Sequence, residues 1–292
     1  MINQIRNLFN HPIGGRRPVG TLCRVAAWQA RSRLARGRAL RCRWVGGASL
    51  LARCGDHGLT GNIYYGLHDF NEMGLLLHLL RPGDAFVDVG ANLGAYTILA
   101  AAVCGAGVVA LEPHPDNYSR LMENVECNGV GGRVEAVMAA AGRTPGRLRF
   151  AGSGTTCHLV APGEAAPDAI EVPVVTLDSV LGDRAPTMIK IDVEGFEAAV
   201  LAGAASVLRS PKLRVIVAEL MGTGGRYGAD EAKVAGDLAD LGFEACGYDP
   251  LARRFVRSPT GKGNNKIFVR DAAGLLPVVA SAPHHDVHGL RI

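Results

Sequence analysis

From residue 84 onward, short apolar runs rich in Val, Ile and Leu alternate with longer stretches whose apolar positions recur at helical spacing. This alternation predicts a mostly parallel sheet covered by helices on both faces. Strands are expected at 85–89, 108–111, 134–139, 188–192 and 214–220, with helices at 95–104, 116–127, 196–208 and 231–241 between or after them. Asp116 follows Pro113 and Pro115 and reads as the N-cap of its helix. Around 148–150 and 170–175 the helical rhythm lapses, and two β-rich runs bracket a Gly, Ser, Thr and Pro-rich stretch, which predicts a strand pair beside the main sheet. Two last strands, 243–248 and 266–270, close the pattern as an antiparallel hairpin, with 254–256 as an extra piece. Beyond Arg270 no period is visible, and the Ala, Pro and His-rich tail is expected to be loosely ordered. The division that follows is a 1–66 extension or lid, an α/β domain over 67–271 and a tail over 272–292.

Composition changes this picture mainly at the amino end. The chain has 292 residues, 48% of them hydrophobic, and a net charge of +4. That suffices for one α/β core plus an extension. Arginine recurs from Arg16 to Arg53 with no lysine and no acid, a pattern that suits an anionic surface, a membrane face or nucleic acid as well as a solvated or dimer-forming arm. The seven cysteines are scattered without a CxxC pair, which fits reduced thiols in the cytoplasm rather than a disulfide framework or a zinc site. The amino terminus lacks a secretory pattern, and the chain is expected to start at Met1. Residues 95–111 have the hydropathy of a membrane span, but Gly105 and Gly107 break them into a helix and a strand.

The chemistry gathers at strand ends. Asp88-Val89-Gly90-Ala91-Asn92-Leu93-Gly94 joins a strand to a helix, where glycines permit turn angles and close approach that other residues resist. Asn92 stands where a dinucleotide fingerprint needs its second glycine for a pyrophosphate, so a phosphate-free ligand fits better. Glu112, at the end of the next strand, can accept hydrogen bonds from the hydroxyls of a nucleoside ribose. Taken alone it is an ordinary surface carboxylate, but with the glycine turn it implies adenosine. Asp192 and Glu219 fall at the carboxyl ends of the next two strands, where open parallel sheets bind ligands. Methyl transfer to a hydroxyl needs an acceptor for the departing proton. Asp192 is the preferred base, with Glu194 and Glu219 as partners and His68 as an alternative base. Asp192 and Glu219 also have the chemistry to hold Mg²⁺. The competing reading is that Lys190 neutralises these acids and Glu194 caps the following helix. The tail histidines His284, His285 and His288 lack a companion carboxylate or cysteine cluster and are not favoured as a metal site. The loop 222–228, with Arg226 and Tyr227, is expected either to shape an acceptor pocket or to be plain surface.

The run Phe86-Val87-Asp88-Val89-Gly90-Ala91-Asn92-Leu93-Gly94, then Glu112-Pro113-His114-Pro115, Thr176-Leu177-Asp178-Ser179 and Ile189-Lys190-Ile191-Asp192-Val193-Glu194-Gly195, resembles the FkbM family of methyltransferases over about residues 70 to 270. The resemblance implies a class I, Rossmann-like α/β fold with a mostly parallel seven-stranded sheet and a terminal antiparallel hairpin. It also implies S-adenosylmethionine as methyl donor and, usually, O-methylation of a sugar or secondary metabolite. Asp88, Gly90, Ala91, Asn92, Gly94, Glu112 and Pro113 fall on the cofactor motifs, with Glu72 as a further cofactor candidate ahead of the first strand. No acid follows the third strand at 139–143 to hold the adenine amino group. The expected partner is a small-molecule or glycan acceptor, with a homodimer as a further option and nucleic acid disfavoured. Two other classes compete: a methyltransferase-like scaffold using the Arg16–Arg53 region on an anionic partner, and a nicotinamide oxidoreductase, against which the missing glycine and the absence of a Tyr-x-x-x-Lys pair argue.

Overall fold

A computed structural model describes residues 8–152, 158–160, 166–220, 231–257 and 265–292. The amino-terminal part comprises α1 (Pro12–Arg16), α2 (Pro18–Leu34), the hairpin β1 (Leu40–Arg43) and β2 (Ser49–Ala52), α3 (His57–Tyr65) and α4 (Phe70–Leu79). There follow β3 (Ala85–Val89), α5 (Ala95–Ile98), β4 (Gly107–Leu111), α6 (Pro115–Cys127) and β5 (Val134–Val137). Next come β6 (Ala140–Ala141), β7 (Gly146–Ala151), β8 (His158–Leu159), β9 (Ile170–Val175), α7 (Leu177–Leu181) and β10 (Met188–Ile191). The chain continues through α8 (Glu197–Ala202), α9 (Ala205–Arg209), β11 (Val215–Glu219), α10 (Glu231–Asp240), β12 (Glu244–Asp249), β13 (Arg254–Val256) and β14 (Asn265–Val269). It ends with α11 (Ala272–Ala280), β15 (Asp286–Val287) and β16 (Leu290–Arg291).

The main sheet has eight strands in the order β13-β12-β14-β11-β10-β3-β4-β5. The five from β11 to β5 run parallel, and β14 enters antiparallel between β11 and β12. The seven strands expected are present, and 254–256 adds the eighth at the edge. Side chains of one strand point alternately into two cores, as the period of a strand requires. Phe86, Val108, Met188, Val215 and Val217 pack with α4, α5, α6 and α11, while Val87, Val89, Val109, Leu111, Ile189 and Ile216 pack with α7 to α10. Burial on both faces explains why these strands read as continuous apolar runs.

The strand order reverses direction of growth at β3 and β10, so the crevice outside their carboxyl ends is the topological switch point. A four-stranded sheet, β6-β9-β7-β8, stands beside this crevice and contains the predicted strand pair. Because β6 begins three residues after β5, Ala139 to Ala141 pass directly from one sheet to the other.

Four local expectations change. His114, not Asp116, is the N-cap of α6: its ring accepts from Asp116 N, and Pro115 sets the first helical turn. The helix expected at 196–208 is two, separated at Gly203, where a Cβ would lie 2.0 Å from Gly142 O. The helix expected at 95–104 changes from α to π geometry at Leu99. The tail is folded: Leu275, Val279, Val287 and Ile292 are buried, and the Arg253 guanidinium donates to Ala282 O (2.6 Å), Pro283 O (3.1 Å) and Ile292 O (3.1 Å). Sparse apolar positions and a distant arginine, rather than a local period, fix it.

The amino-terminal hairpin is fastened through asparagines of α6. Ser49 N donates to Asn128 Oδ1 (2.8 Å), and Leu51 N to Asn124 Oδ1 (2.7 Å). Asp56 adds an ion pair to Arg120 at 2.5 Å. Side chains thus satisfy a strand edge that would otherwise stay open. No helix among the described residues is long and apolar enough to cross a membrane.

Candidate active site

A cleft of about 330 Å³ lies over the carboxyl ends of β3, β4, β10 and β11. Of the residues singled out from the sequence, Asp88, Gly90, Ala91, Asn92, Glu112, Pro113, Asp192, Glu194, Glu219 and His68 all line it. Gly94 and Glu72 do not. Gly94, at φ +89°, starts α5, and a Cβ there would meet Leu121 Cδ1 at 2.5 Å, so its place is in helix packing. Glu72 lies on α4, where burial and then the Asp69 carboxylate push it up to about 7.

The turn after β3 is held by two constraints. Gly90 has φ +79°, and a Cβ would fall 1.9 Å from the carbonyl oxygen of Asp192, so only glycine lets the β3 and β10 ends meet. Asn92 is left-handed at φ +51°, and its N–H donates to Glu112 Oε2 at 2.8 Å. The other Glu112 oxygen accepts from His114 N (2.9 Å) and Asn117 Nδ2 (3.4 Å). Burial raises the Glu112 pKa while these donors oppose the rise. Asp88 is buried: its Oδ2 accepts from Thr97 Oγ1 at 2.7 Å, while its Oδ1 and Asn92 Oδ1 have no hydrogen-bond partner. Buried acceptors left open in a cleft suit a ligand that brings donors.

Across the cleft, Asp192 accepts from the buried Lys190 ammonium at 2.7 Å and is hydrogen-bonded to Glu219. Its side chain is 34% exposed, so solvent and ligands reach it. Oxygens of Asp192, Glu194 and Glu219 lie within 4.8 Å of one another. Burial, the hydrogen bond to Asp192, and the like charges of Asp192 and Glu194 push the Glu219 carboxyl up to about 9. Burial also works against charge on Asp192, but Lys190 and the bond from Glu219 hold it below the ordinary carboxylate value. Burial likewise disfavours the Lys190 charge, yet Asp192 and Asp88 carry its pKa to about 12. The pair is a proton-sharing dyad, with the proton on Glu219 and the negative charge on Asp192.

Glu194 does not cap the next helix. The N-cap position is Phe196, which brings no side-chain cap, while Glu197 ties the turn before the helix, accepting from Gly195 N (3.0 Å) and Val193 N (3.3 Å), and Glu194 adopts φ +55°. Lys190 neutralises the acids, as one reading of the sequence held, with its ammonium 2.7 Å from Asp192. Sequence reading passed over several residues of the cleft. Tyr96 lies under the Lys190 ammonium, 4.8 Å from ring centroid to Nζ, and donates to Asp69 at 2.9 Å. Asn117, Asn265 and Phe150 also line the cleft. Phe150 arrives from the side sheet together with Ala139 to Ala141, where no acid stands. Its only signal in the sequence was its place in the strand pair. The loop 222–228 lies outside the described residues. The tail histidines are apart from this cluster: His284 Nδ1 meets Arg253 at 2.8 Å and Ile292 O at 3.1 Å.

This sheet order, with its antiparallel β14 and a ligand cleft at the switch point, defines a class I methyltransferase fold. The methyltransferase FkbM domain matches residues 88–249, and the chain belongs to that family. It is 31% identical over 190 residues to the 31-O-demethyl-FK506 methyltransferase FkbM of Streptomyces tacrolimicus, covering 54% of this chain and 73% of that one. It is 29% identical over 157 residues to the hexuronic acid methyltransferase AglP of Haloferax volcanii, covering 49% of this chain and 59% of that one. Among solved structures, a methyltransferase FkbM from Methylobacillus flagellatus aligns with a TM-score of 0.44 and 16% identity, over 84% of this chain and 58% of that one.

Proposed function

We propose that this chain is an S-adenosylmethionine-dependent O-methyltransferase acting on a hydroxyl of a sugar or secondary metabolite. The observation that carries the reading is the facing of two unlike carboxylate sites across one cleft: Glu112 beside the Gly90 turn, and Asp192 beside Lys190 and Glu219. The residues fit the cofactor. A carboxylate has about four acceptor positions, and Glu112 uses three, so it keeps capacity for a ribose hydroxyl. Asp88 Oδ1 and Asn92 Oδ1 suit the ammonium of the methionine portion. Pro113, Ala140 and Phe150 offer adenine an apolar surround in place of the missing acid. When bound, the cofactor supplies a methyl carbon on a positively charged sulfur.

In this reading Asp192 accepts the proton of the acceptor hydroxyl, Glu219 holds it in orientation, and Lys190 keeps it ionised between turnovers. The names of the relatives, 31-O-demethyl-FK506 for one and a hexuronic acid for the other, support an oxygen acceptor on a small molecule or glycan. Formation of S-adenosylhomocysteine with a panel of sugars, uronic acids and macrolide alcohols tests the reading. Turnover with at least one alcohol, lost in Asp192→Asn, is expected; methylation confined to amines or nucleobases overturns it.

A further inference from the structure

The helix α2 buries a mixed side and exposes apolar residues. Its inward side carries Thr21 and Ser32, 0% and 2% exposed, with Trp28 at 4%. Arg24 on the same helix donates to Tyr64 O and to Thr21 Oγ1, both at 2.7 Å, and Gln29 donates to the Tyr64 hydroxyl at 2.7 Å. These bonds fix which side faces the protein. The outward side is therefore Val19, Leu22, Cys23, Ala26, Ala30, Arg33 and Leu34, at the i, i+3, i+4, i+7 spacing of one helical stripe that is apolar until an arginine enters it in the last turn. Val19 is 74% exposed, Leu22 46% and Leu34 81%. A stripe of this kind facing water is the reverse of what a helix on a globular surface normally shows.

Charge around the stripe restricts what covers it. Arg31, Arg33, Arg36 and Arg38 at its carboxyl end are all exposed, and no acid occurs anywhere between Arg16 and Arg53. A second copy docked face to face would set arginine against arginine with no carboxylate to answer. A nucleic acid would use the arginines but leave Val19, Leu22 and Leu34 in water. A surface that is apolar within and anionic at its boundary answers both features at once. We propose that α2 lies in the interface of an anionic phospholipid bilayer, its apolar stripe among the upper acyl chains and the arginines on the headgroup phosphates. No spanning segment is involved; the helix lies in the plane of the surface.

The placement has a consequence for the cleft. α2 rests on α3, which lends His57 and Asn62 to the cleft lining. Docking through α2 therefore brings the bilayer to the side of the molecule on which α3 lines the cleft. An acceptor tethered to or partitioned into the same surface then reaches the site without leaving it.

Cosedimentation of the full chain with phosphatidylcholine vesicles, with and without phosphatidylglycerol, tests this. Binding is expected only with phosphatidylglycerol present, and it weakens as salt rises. Leu22→Glu and Leu34→Glu each lower the vesicle partition coefficient by roughly tenfold or more, since each removes a buried leucine. Arg33→Gln with Arg36→Gln lowers it about tenfold, mostly at low salt. An unchanged thermal unfolding midpoint in each variant shows that the fold is intact. Failure to bind anionic vesicles overturns the proposal, as does vesicle binding indifferent to both leucine changes. So does a dimer in light scattering that Leu34→Glu dissociates, or RNA binding of the same affinity in the leucine variants.

Discussion

The two rims of the cleft handle negative charge in opposite ways. At the ends of β3 and β4 Glu112 is ringed by donors from Asn92, His114 and Asn117, and the like charge of the buried Asp88 is only a minor influence on it. At the ends of β10 and β11 three carboxylates lie within 4.8 Å of one another, offset in part by the Lys190 ammonium and a shared proton. The first arrangement is rigid and suits binding. The second is charged, half-open to solvent and able to move a proton, which suits reaction. Gly90 is where they touch, because its missing Cβ lets the two strand ends meet.

The contrast can be broken at that contact first. Gly90→Ala places a carbon against the Asp192 carbonyl at a left-handed backbone angle, and neither strand end can retreat without breaking the sheet. A stability loss of roughly 2–5 kcal/mol is expected in denaturant unfolding, together with loss of nucleoside binding. Asp192→Asn touches only the reacting rim. It should lower kcat by about 10²–10⁴, the usual worth of a positioned base, with cofactor affinity preserved. Glu112→Ala touches only the binding rim and strands the N–H groups of Asn92 and His114. About a 10- to 100-fold loss of S-adenosylhomocysteine affinity is expected by calorimetry.

The pH dependence of stability is the most specific effect. Glu219 ordinarily titrates near 4.5 but is held up to about 9 in the fold, so between these values the folded chain keeps a proton that the unfolded chain releases. Stability on this account falls as pH rises from about 4.5 to about 9 and levels off above. Glu219→Gln removes that slope, and unfolding midpoints across the window read it directly.

How much of this the sequence displayed depended on how local each cause was. The turn from Asp88 to Gly94 and the acids at the strand ends were legible, because strand, glycine and carboxylate stand in one continuous run. Of the two uses read for Gly90, the turn angle holds, at φ +79°, and the close approach changes partner. The reading was close approach of a ligand, whereas the nearest atom is the carbonyl of Asp192, a hundred residues on. Lys190 was legible as a neutraliser of the acids, but not its burial between Asp88 and Asp192 in an otherwise apolar strand. Phe150 reaches the cleft only because a second sheet folds beside the first. The tail misled for the same reason, its order coming from Arg253 and four separated apolar residues rather than from any period.

Calorimetric titration of S-adenosylhomocysteine into the wild-type chain, Asp192→Asn and Glu112→Ala tests the division between the two rims most directly. One site per chain is predicted, with wild-type and Asp192→Asn affinities within about threefold of each other and Glu112→Ala weakened. No binding by the wild type, or affinity lost in Asp192→Asn while Glu112→Ala retains it, would contradict the account.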